Sequence, residues 1–271
     1  MIIGSREFNT ENNTYIMGIL NMTPDSFSDG GRYNSLDAAL FHALQMVDEG
    51  ADLLDIGGES ARPGHIQISD SEEIERVVPV IERLKREFDT PISIDTYKST
   101  VAEAALSAGA DLVNDIWGLK YDEKMADLIS KSGAACCLMH NRKTAEYNDF
   151  AEDFLEDMQQ SVKIADKAGI NHDKIILDPG VGFGKTYEMN LEIISRLEIL
   201  HQLKFPLLLG TSRKSVIGLT LDLPADQREE GTLVTTVYAV QKGCAFVRVH
   251  DVGKNKQAVR MTQALMRKHN L

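Results

Sequence analysis

Residues 91–115 read PISIDTYKSTVAEAALSAGADLVND. The run 91–95 is short and apolar until it ends at Asp95. The run 110–115 repeats the pattern and ends at Asn114-Asp115, and a helical segment fits 98–108 between them. A strand with one wet face alternates apolar and polar residues. A strand that is apolar throughout is buried on both faces, as in a parallel sheet. Two parallel strands need a crossover of a dozen or more residues, usually a helix. The stretch therefore predicts one strand–helix–strand unit.

The same unit recurs in both directions. Apolar runs stand at 15–20, 51–57, 134–139, 174–178, 205–210 and 244–250 besides the two above. Helical segments fit 36–47, 74–88, 122–132, 151–168, 188–202, 227–242 and 254–268. Leu36, Leu40, Ala43, Leu44 and Val47 share one helical face, with Ser35 as a candidate N-cap and Gly50 beyond the end. Ser69 with Glu72 has the form of a capping box before the helix at 74–88. Eight strands, each followed by a helix, predict an α/β fold of the (β/α)8 TIM-barrel type, with an open doubly wound sheet as the alternative. The length of 271 residues is close to the roughly 250 typical of such barrels. No low-complexity linker or composition break is visible, so residues 1–271 are read as a single domain.

A net charge of −12, from 29 basic and 41 acidic residues, argues against a nucleic-acid partner, which requires a basic face. It leaves room for an anionic small molecule held by a few converging cations. No apolar run approaches the 18 residues that would suggest a membrane span. Cys136, Cys137 and Cys244 lie in apolar runs without metal-type spacing, which predicts buried free thiols. With no signal-peptide pattern at the N-terminus, the expected location is the cytoplasm.

In a TIM barrel the site lies at the C-terminal ends of the strands. Those ends carry Asn21; Gly57 to Gly64 with Glu59 and Arg62; Asp95; Asn114 and Asp115; Met139, His140 and Asn141; Asp178; Gly210 with Ser212, Arg213, Lys214 and Ser215; and Arg248, His250 and Asp251. Each alone is as well explained by a turn or a helix cap. Together they describe a cleft with acidic and amide walls and a cationic group of Arg62, Lys214, Arg248 and His250, suited to a pyrophosphate. Arg248 is equally readable as the partner of a neighbouring carboxylate. Gly184-Lys185-Thr186 resembles the end of a phosphate-binding loop, but the required first glycine falls on Pro179 and the motif fails. Gly180, Gly182 and Gly184 read as a tight turn beside a flat ligand. His140 has no second ligand at metal spacing and reads as a loop residue.

Seven segments resemble dihydropteroate synthases in order along the chain. They are NMTPDSFSDGG (21–31), GGESARPG (57–64), IDT (94–96), VND (113–115), LDPGVGFGK (177–185), SRKS (212–215) and RVHD (248–251). The resemblance implies transfer of a dihydropterin-6-ylmethyl group from its pyrophosphate ester to the amine of p-aminobenzoate, a step of folate synthesis at which sulfonamides compete. It implies a pterin site of Asp95, Asn114, Ile116, Met139, Asp178, Phe183, Gly210, Lys214 and Arg248. Asn21, Arg62, Arg248 and His250 would hold the pyrophosphate, with Asn21 on Mg2+. Phe27, Ala61, Pro63, Phe183, Lys214 and Ser215 would surround p-aminobenzoate. Asn21, Arg62, Asp95, Lys214, Arg248 and His250 form the implied catalytic set. A homodimer through helices late in the barrel is also implied. Ala61 departs from the Thr or Ser common in the family, which removes one hydrogen bond, on the order of 1 kcal/mol. The rival readings are a corrinoid-dependent methyltetrahydrofolate methyltransferase and a non-catalytic paralogue.

Overall fold

The computed structural model describes residues 1–22, 31–60 and 66–268; Phe27, Ala61, Arg62 and Pro63 lie outside the described residues. A short antiparallel pair, β1 (Ile2–Ile3) and β2 (Arg6–Glu7), opens the chain. Eight parallel strands then alternate with helices. They are β3 (Tyr15–Asn21), β4 (Leu53–Gly57), β5 (Ile92–Asp95), β6 (Leu112–Asp115), β7 (Ala135–Met139), β8 (Ile175–Asp178), β9 (Leu208–Leu209) and β10 (Phe246–Val249). The hydrogen-bonded order runs β8-β7-β6-β5-β4-β3-β10-β9. A parallel bridge between Leu177 and Leu207 joins the two ends, and the Leu177 N–H donates to the Pro206 carbonyl at 2.9 Å. The sheet closes on itself, as the (β/α)8 expectation requires.

The helices are α1 (Gly31–Asp48), α2 (Asp70–Glu87), α3 (Ser99–Ser107), α4 (Met125–Ser132), α5 (Phe150–Ala168), α6 (Tyr187–Ser195), α7 (Ser215–Leu221), α8 (Glu229–Gln241) and α9 (Val252–Lys268). Their buried faces pack on the outside of the barrel, where Leu54, Ile56, Ile94, Val113, Leu138 and Leu177 meet Ala43, Val77, Ile81, Val101, Ile129 and Phe154 in one core. Ser69 caps α2 by accepting from the Glu72 N–H, as the sequence predicts.

Several boundaries differ from expectation. The first helix begins at Gly31, so Ser35 lies inside it rather than capping it. The helix predicted at 188–202 divides into α6 and a 3-10 segment, Leu197–Leu203, because Arg196 leaves helical geometry at φ −116°, ψ 34°. The short helix α7 stands before α8, outside the helical segments fitted to the sequence. The strand predicted at 205–210 is pared to Leu208–Leu209, since Pro206 has no N–H to give the ladder.

The barrel interior is layered. Met17, Leu53, Leu112, Cys137, Ile176, Leu208 and Phe246 fill its lower part, with Ile3 and Phe8 of the N-terminal segment packed against them. Phe8 meets Tyr15 edge-on at 4.8 Å and Phe246 at 5.6 Å, closing the bottom of the barrel. Side chains alternate faces along a strand, so the next inward position lies two residues on. Those positions are Ile19, Asp55, Asn114, Met139, Asp178, Gly210 and Arg248, polar or glycine except at Ile19 and Met139. The change from apolar to polar along the barrel axis marks the floor of the candidate site.

Candidate active site at the barrel mouth

Arg248 enters the mouth from β10 and is held between two carboxylates. Its Nε donates to Asp55 Oδ2 at 2.5 Å and its Nη2 to Asp95 Oδ2 at 2.6 Å. Asp55 is fully buried and also accepts from Asn114 Nδ2 at 3.2 Å. Its second oxygen has no hydrogen-bond partner among the described residues. Burial disfavours the guanidinium charge, but Asp55 and Asp95 outweigh that cost and hold Arg248 above its ordinary range. Burial pushes the Asp95 carboxyl up to about 7, and Arg248 opposes it only in part. The ion-pair reading of Arg248 is therefore the observed one. Nη1 makes no hydrogen bond to the described residues.

Across the mouth, Asp178 and Lys214 converge on Gly210. A Cβ placed on Gly210 would lie 3.6 Å from Asp178 Oδ2 and 3.9 Å from Lys214 Nζ. Asp178 Oδ1 accepts from the Gly180 N–H at 2.7 Å, which fixes the carboxylate plane. Lys214 Nζ donates to the Val181 carbonyl at 2.6 Å and sits 4.9 Å from the centre of the Phe183 ring. Burial raises the Asp178 pKa, with Lys214 opposing. Burial also lowers Lys214 to about 8, with Asp178 opposing. Tyr97, Ile116 and Met139 form a separate apolar cluster, with Trp117 and Phe183 packed against it. The arrangement sets the apolar cluster, the Asp178–Lys214 pair and the Asp55–Arg248–Asp95 group around one slot at the mouth.

The remaining predicted residues lie on the same rim. Asn21 ends β3, and Gly57, by lacking a side chain, leaves room between Asn21 Oδ1 and Asp95; a Cβ there would lie 3.4 Å from the first and 3.7 Å from Asp95 Oδ2. His250 is tied to Ser212, with Nδ1 and Oγ 2.9 Å apart and its backbone N–H donating to the same Oγ at 3.2 Å. Ser215 begins α7 and is exposed.

Three groups were missed by sequence reasoning. Asp55 lies inside the apolar run LLDIG, where an inward carboxylate is the signal. Lys98 is buried, and its Nζ donates to Glu59 at 2.7 Å, Glu73 at 2.7 Å and the Ile68 carbonyl at 2.8 Å. It thereby ties together residues on either side of 61–65. His140, read as a loop residue, is fully buried between Asp157 and Lys185 because it follows directly on a central strand.

Comparison with known proteins accords with this geometry. The profile of the family described as "Pterin binding enzyme" matches residues 17–250. The dihydropteroate synthase of Clostridium beijerinckii is 56% identical over 99% of this chain and 100% of its own. The crystal structure of the dihydropteroate synthase of Clostridium difficile in the presence of pteroic acid superposes with a TM-score of 0.93 at 53% identity, covering 96% of this chain and 99% of that one. That of the Yersinia pestis enzyme with a sulfonamide drug gives 0.91 at 40% identity, covering 99% of each. The chain belongs to the pterin-binding enzyme family and, within it, to the dihydropteroate synthases.

Proposed function

We propose that the chain condenses 6-hydroxymethyl-7,8-dihydropterin pyrophosphate with p-aminobenzoate, giving 7,8-dihydropteroate and pyrophosphate, by dissociative substitution. The observation that carries this reading is the convergence of Asp178 and Lys214 on Gly210, opposite the Asp55–Arg248–Asp95 group. The Asp178 carboxylate suits the paired N–H donors of a 2-aminopterin edge, with Asn114 beside it. Lys214 donates to a ring acceptor, and Ile116, Met139 and Phe183 cover the ring faces. When the ester C–O bond breaks, its electron pair leaves with the pyrophosphate, and positive charge spreads from the exocyclic carbon into the dihydropterin. Asp95, when ionised, stabilises that charge. The amine of p-aminobenzoate adds to the carbon and loses its proton to solvent; it is neutral near pH 7, so no strong base is required. Arg62, Arg248 and His250 are the proposed holders of the leaving group. Phe27, Ala61, Pro63, Phe183, Lys214 and Ser215 are the proposed surroundings of p-aminobenzoate. Sulfonamides, as competitors of p-aminobenzoate, would act at that subsite.

Mg2+ fits as the cofactor. No group of three or more His, Cys, Asp or Glu side chains among the described residues could hold a metal. Mg2+ keeps several waters and takes its other oxygens from substrate phosphates, so the single amide oxygen of Asn21 at the rim matches its needs. Bound there, it would neutralise charge developing on the departing pyrophosphate. A second copy of the chain is the proposed partner. Leu219 on α7, Val234 on α8, and Met261 and Leu265 on α9 are all more than half exposed, and these three helices pack in sequence. Large apolar side chains grouped this way favour an interface. Three buried free thiols suit a reducing cytoplasm. No described helix is long and apolar enough to cross a membrane.

Pyrophosphate release from the dihydropterin ester with Mg2+ should rise on adding p-aminobenzoate and yield dihydropteroate. Asp178→Ala and Lys214→Ala should each lower kcat/KM by roughly 10–100-fold, the cost of a lost charged hydrogen bond in a buried site. Folded protein that releases nothing would point to the non-catalytic paralogue. Gly210→Ala probes the same slot by filling it. The new methyl meets only ordinary contacts at 3.6–3.9 Å, so melting should shift by no more than about 2 °C while pterin affinity falls at least about tenfold. Unchanged calorimetric affinity would move the pterin elsewhere.

The pH profile of kcat/KM should be bell-shaped. Activity rises as Asp95 ionises through about 7 and declines as Lys214 loses its proton above about 8. Asp95→Asn should be slow and lack the rising limb; if it keeps that limb, Asp95 is not the group that titrates. Sedimentation velocity should find a dimer, and Val234→Glu should shift it toward monomer. A wild-type monomer at micromolar concentration would remove the partner.

A further inference from the structure

Lys185 follows the glycine-rich turn after β8, and its ammonium folds back beneath that turn. Nζ donates to the Gly180 carbonyl at 3.0 Å, to the Phe183 carbonyl at 3.0 Å, and to His140 Nδ1 at 2.8 Å. An ammonium has three N–H groups and no acceptor. All three are committed, so none remains for a phosphate, and the loop resemblance at 184–186 has another cause.

The third contact fixes the state of His140. Burial lowers the Lys185 ammonium to about 7, with Asp178 opposing, and while it is protonated Nδ1 can only accept from it, which leaves the ring proton on Nε2. Nε2 is 3.0 Å from Asp157 Oδ2 on α5, and the carboxylate can only accept. Asp157 is fixed in turn by Arg142 Nε at 2.5 Å. The charged and titratable groups around this imidazole are Asp157, Lys185, Lys120, Arg142 and Tyr147, with the Tyr147 ring stacked at 6.3 Å. The backbone at this point is crowded as well. A Cβ on Gly180, whose φ is +66°, would lie 1.9 Å from the His140 carbonyl oxygen, so only glycine lets the turn sit so close.

The turn held from below shapes the slot above. Phe183 N–H donates to the Gly180 carbonyl at 3.1 Å, closing residues 180–183 into one tight turn. From that turn come the N–H that orients Asp178, the Val181 carbonyl that takes Lys214, and the Phe183 ring against which Lys214 sits. We propose that Lys185, His140 and Asp157 form a positioning relay, running from α5 to the 180–183 turn, that sets the pterin slot without touching substrate. The proposal rests on the pterin reading of the slot formed by Asp178 and Lys214.

Two measurements test it. Lys185→Met keeps the length of the side chain and removes its three donors. Binding of 6-hydroxymethylpterin, followed by calorimetry, should weaken by about tenfold or more. Wild-type protein that binds no pterin would overturn the slot reading itself. Wild-type binding with equal binding by a folded Lys185→Met variant would overturn the relay alone. Should the variant fail to fold, nitrogen-15 NMR of histidine-labelled wild-type protein decides, with the His140 signals assigned by their loss in His140→Gln. A neutral ring protonated at Nε2 supports the relay; a proton on Nδ1, or an imidazolium at neutral pH, refutes it.

Discussion

A guanidinium held between two carboxylates at the mouth of a closed parallel barrel is the constraint on which the site depends. Taking three charges out of water is costly, and their attraction offsets the cost only if geometry and further hydrogen bonds are good. Arg248 meets the condition through Asp55 and Asp95, and Asp55 gains a second contact from Asn114. Four strands, β4, β5, β6 and β10, are thereby bound at one level of the barrel. When Asp95 is ionised, two carboxylates facing one guanidinium leave a net negative charge, and Asp55 Oδ1 lacks a partner among the described residues. An enclosure of that kind favours a substrate fragment that becomes positive as it reacts.

The position of the group follows from strand periodicity. Leu53 and Asp55, Leu112 and Asn114, Cys137 and Met139, Ile176 and Asp178, Leu208 and Gly210, and Phe246 and Arg248 are pairs two residues apart on one face. In each pair the first member packs in the lower barrel. Met17 and Ile19 of β3 form a seventh pair, and all but two of the second members are polar or glycine. Ile19 and Met139 are the exceptions, and Met139 joins Ile116 and Tyr97 in an apolar wall. The apolar lower layer with Phe8 beneath it is the platform; the upper layer carries the chemistry. Moving a polar member two residues toward the N-terminus would bury it where no partner reaches.

Much of this was legible in the chain. Continuous apolar runs gave the strand count and parallel order, because burial on both faces leaves a direct mark on composition. The strand ends named Asp95, Asn114, Asp178, Lys214 and Arg248, and the structure brings these together. What stayed hidden depended on contacts between distant segments. Asp55 is one polar letter in an apolar run, and its role appears only when β10 brings Arg248 across the barrel. His140 could be placed after a strand, but its burial needs Asp157 from α5 and Lys185 from the next loop. The N-terminal hairpin was missed because its strands are two residues each, too short for any period to show.

Counting donors separates the lysines that shape the site from the one suited to binding. Lys98 directs its Nζ to Glu59, Glu73 and the Ile68 carbonyl, and Lys185 directs its own to His140 and two carbonyls. Both are saturated and hold backbone on either side of the mouth. Lys214 is half-buried, as Lys185 is, yet among the described residues Nζ makes one hydrogen bond, to Val181. Its remaining N–H groups are open to an acceptor. Asp178 has the complementary surplus, with one oxygen taken by Gly180 and the other facing the space above Gly210. A flat heterocycle carrying adjacent donors and an acceptor on its edge resolves both at once. The proposed preference of the slot for such a ring would therefore arise from the polar capacity that the fold leaves unused.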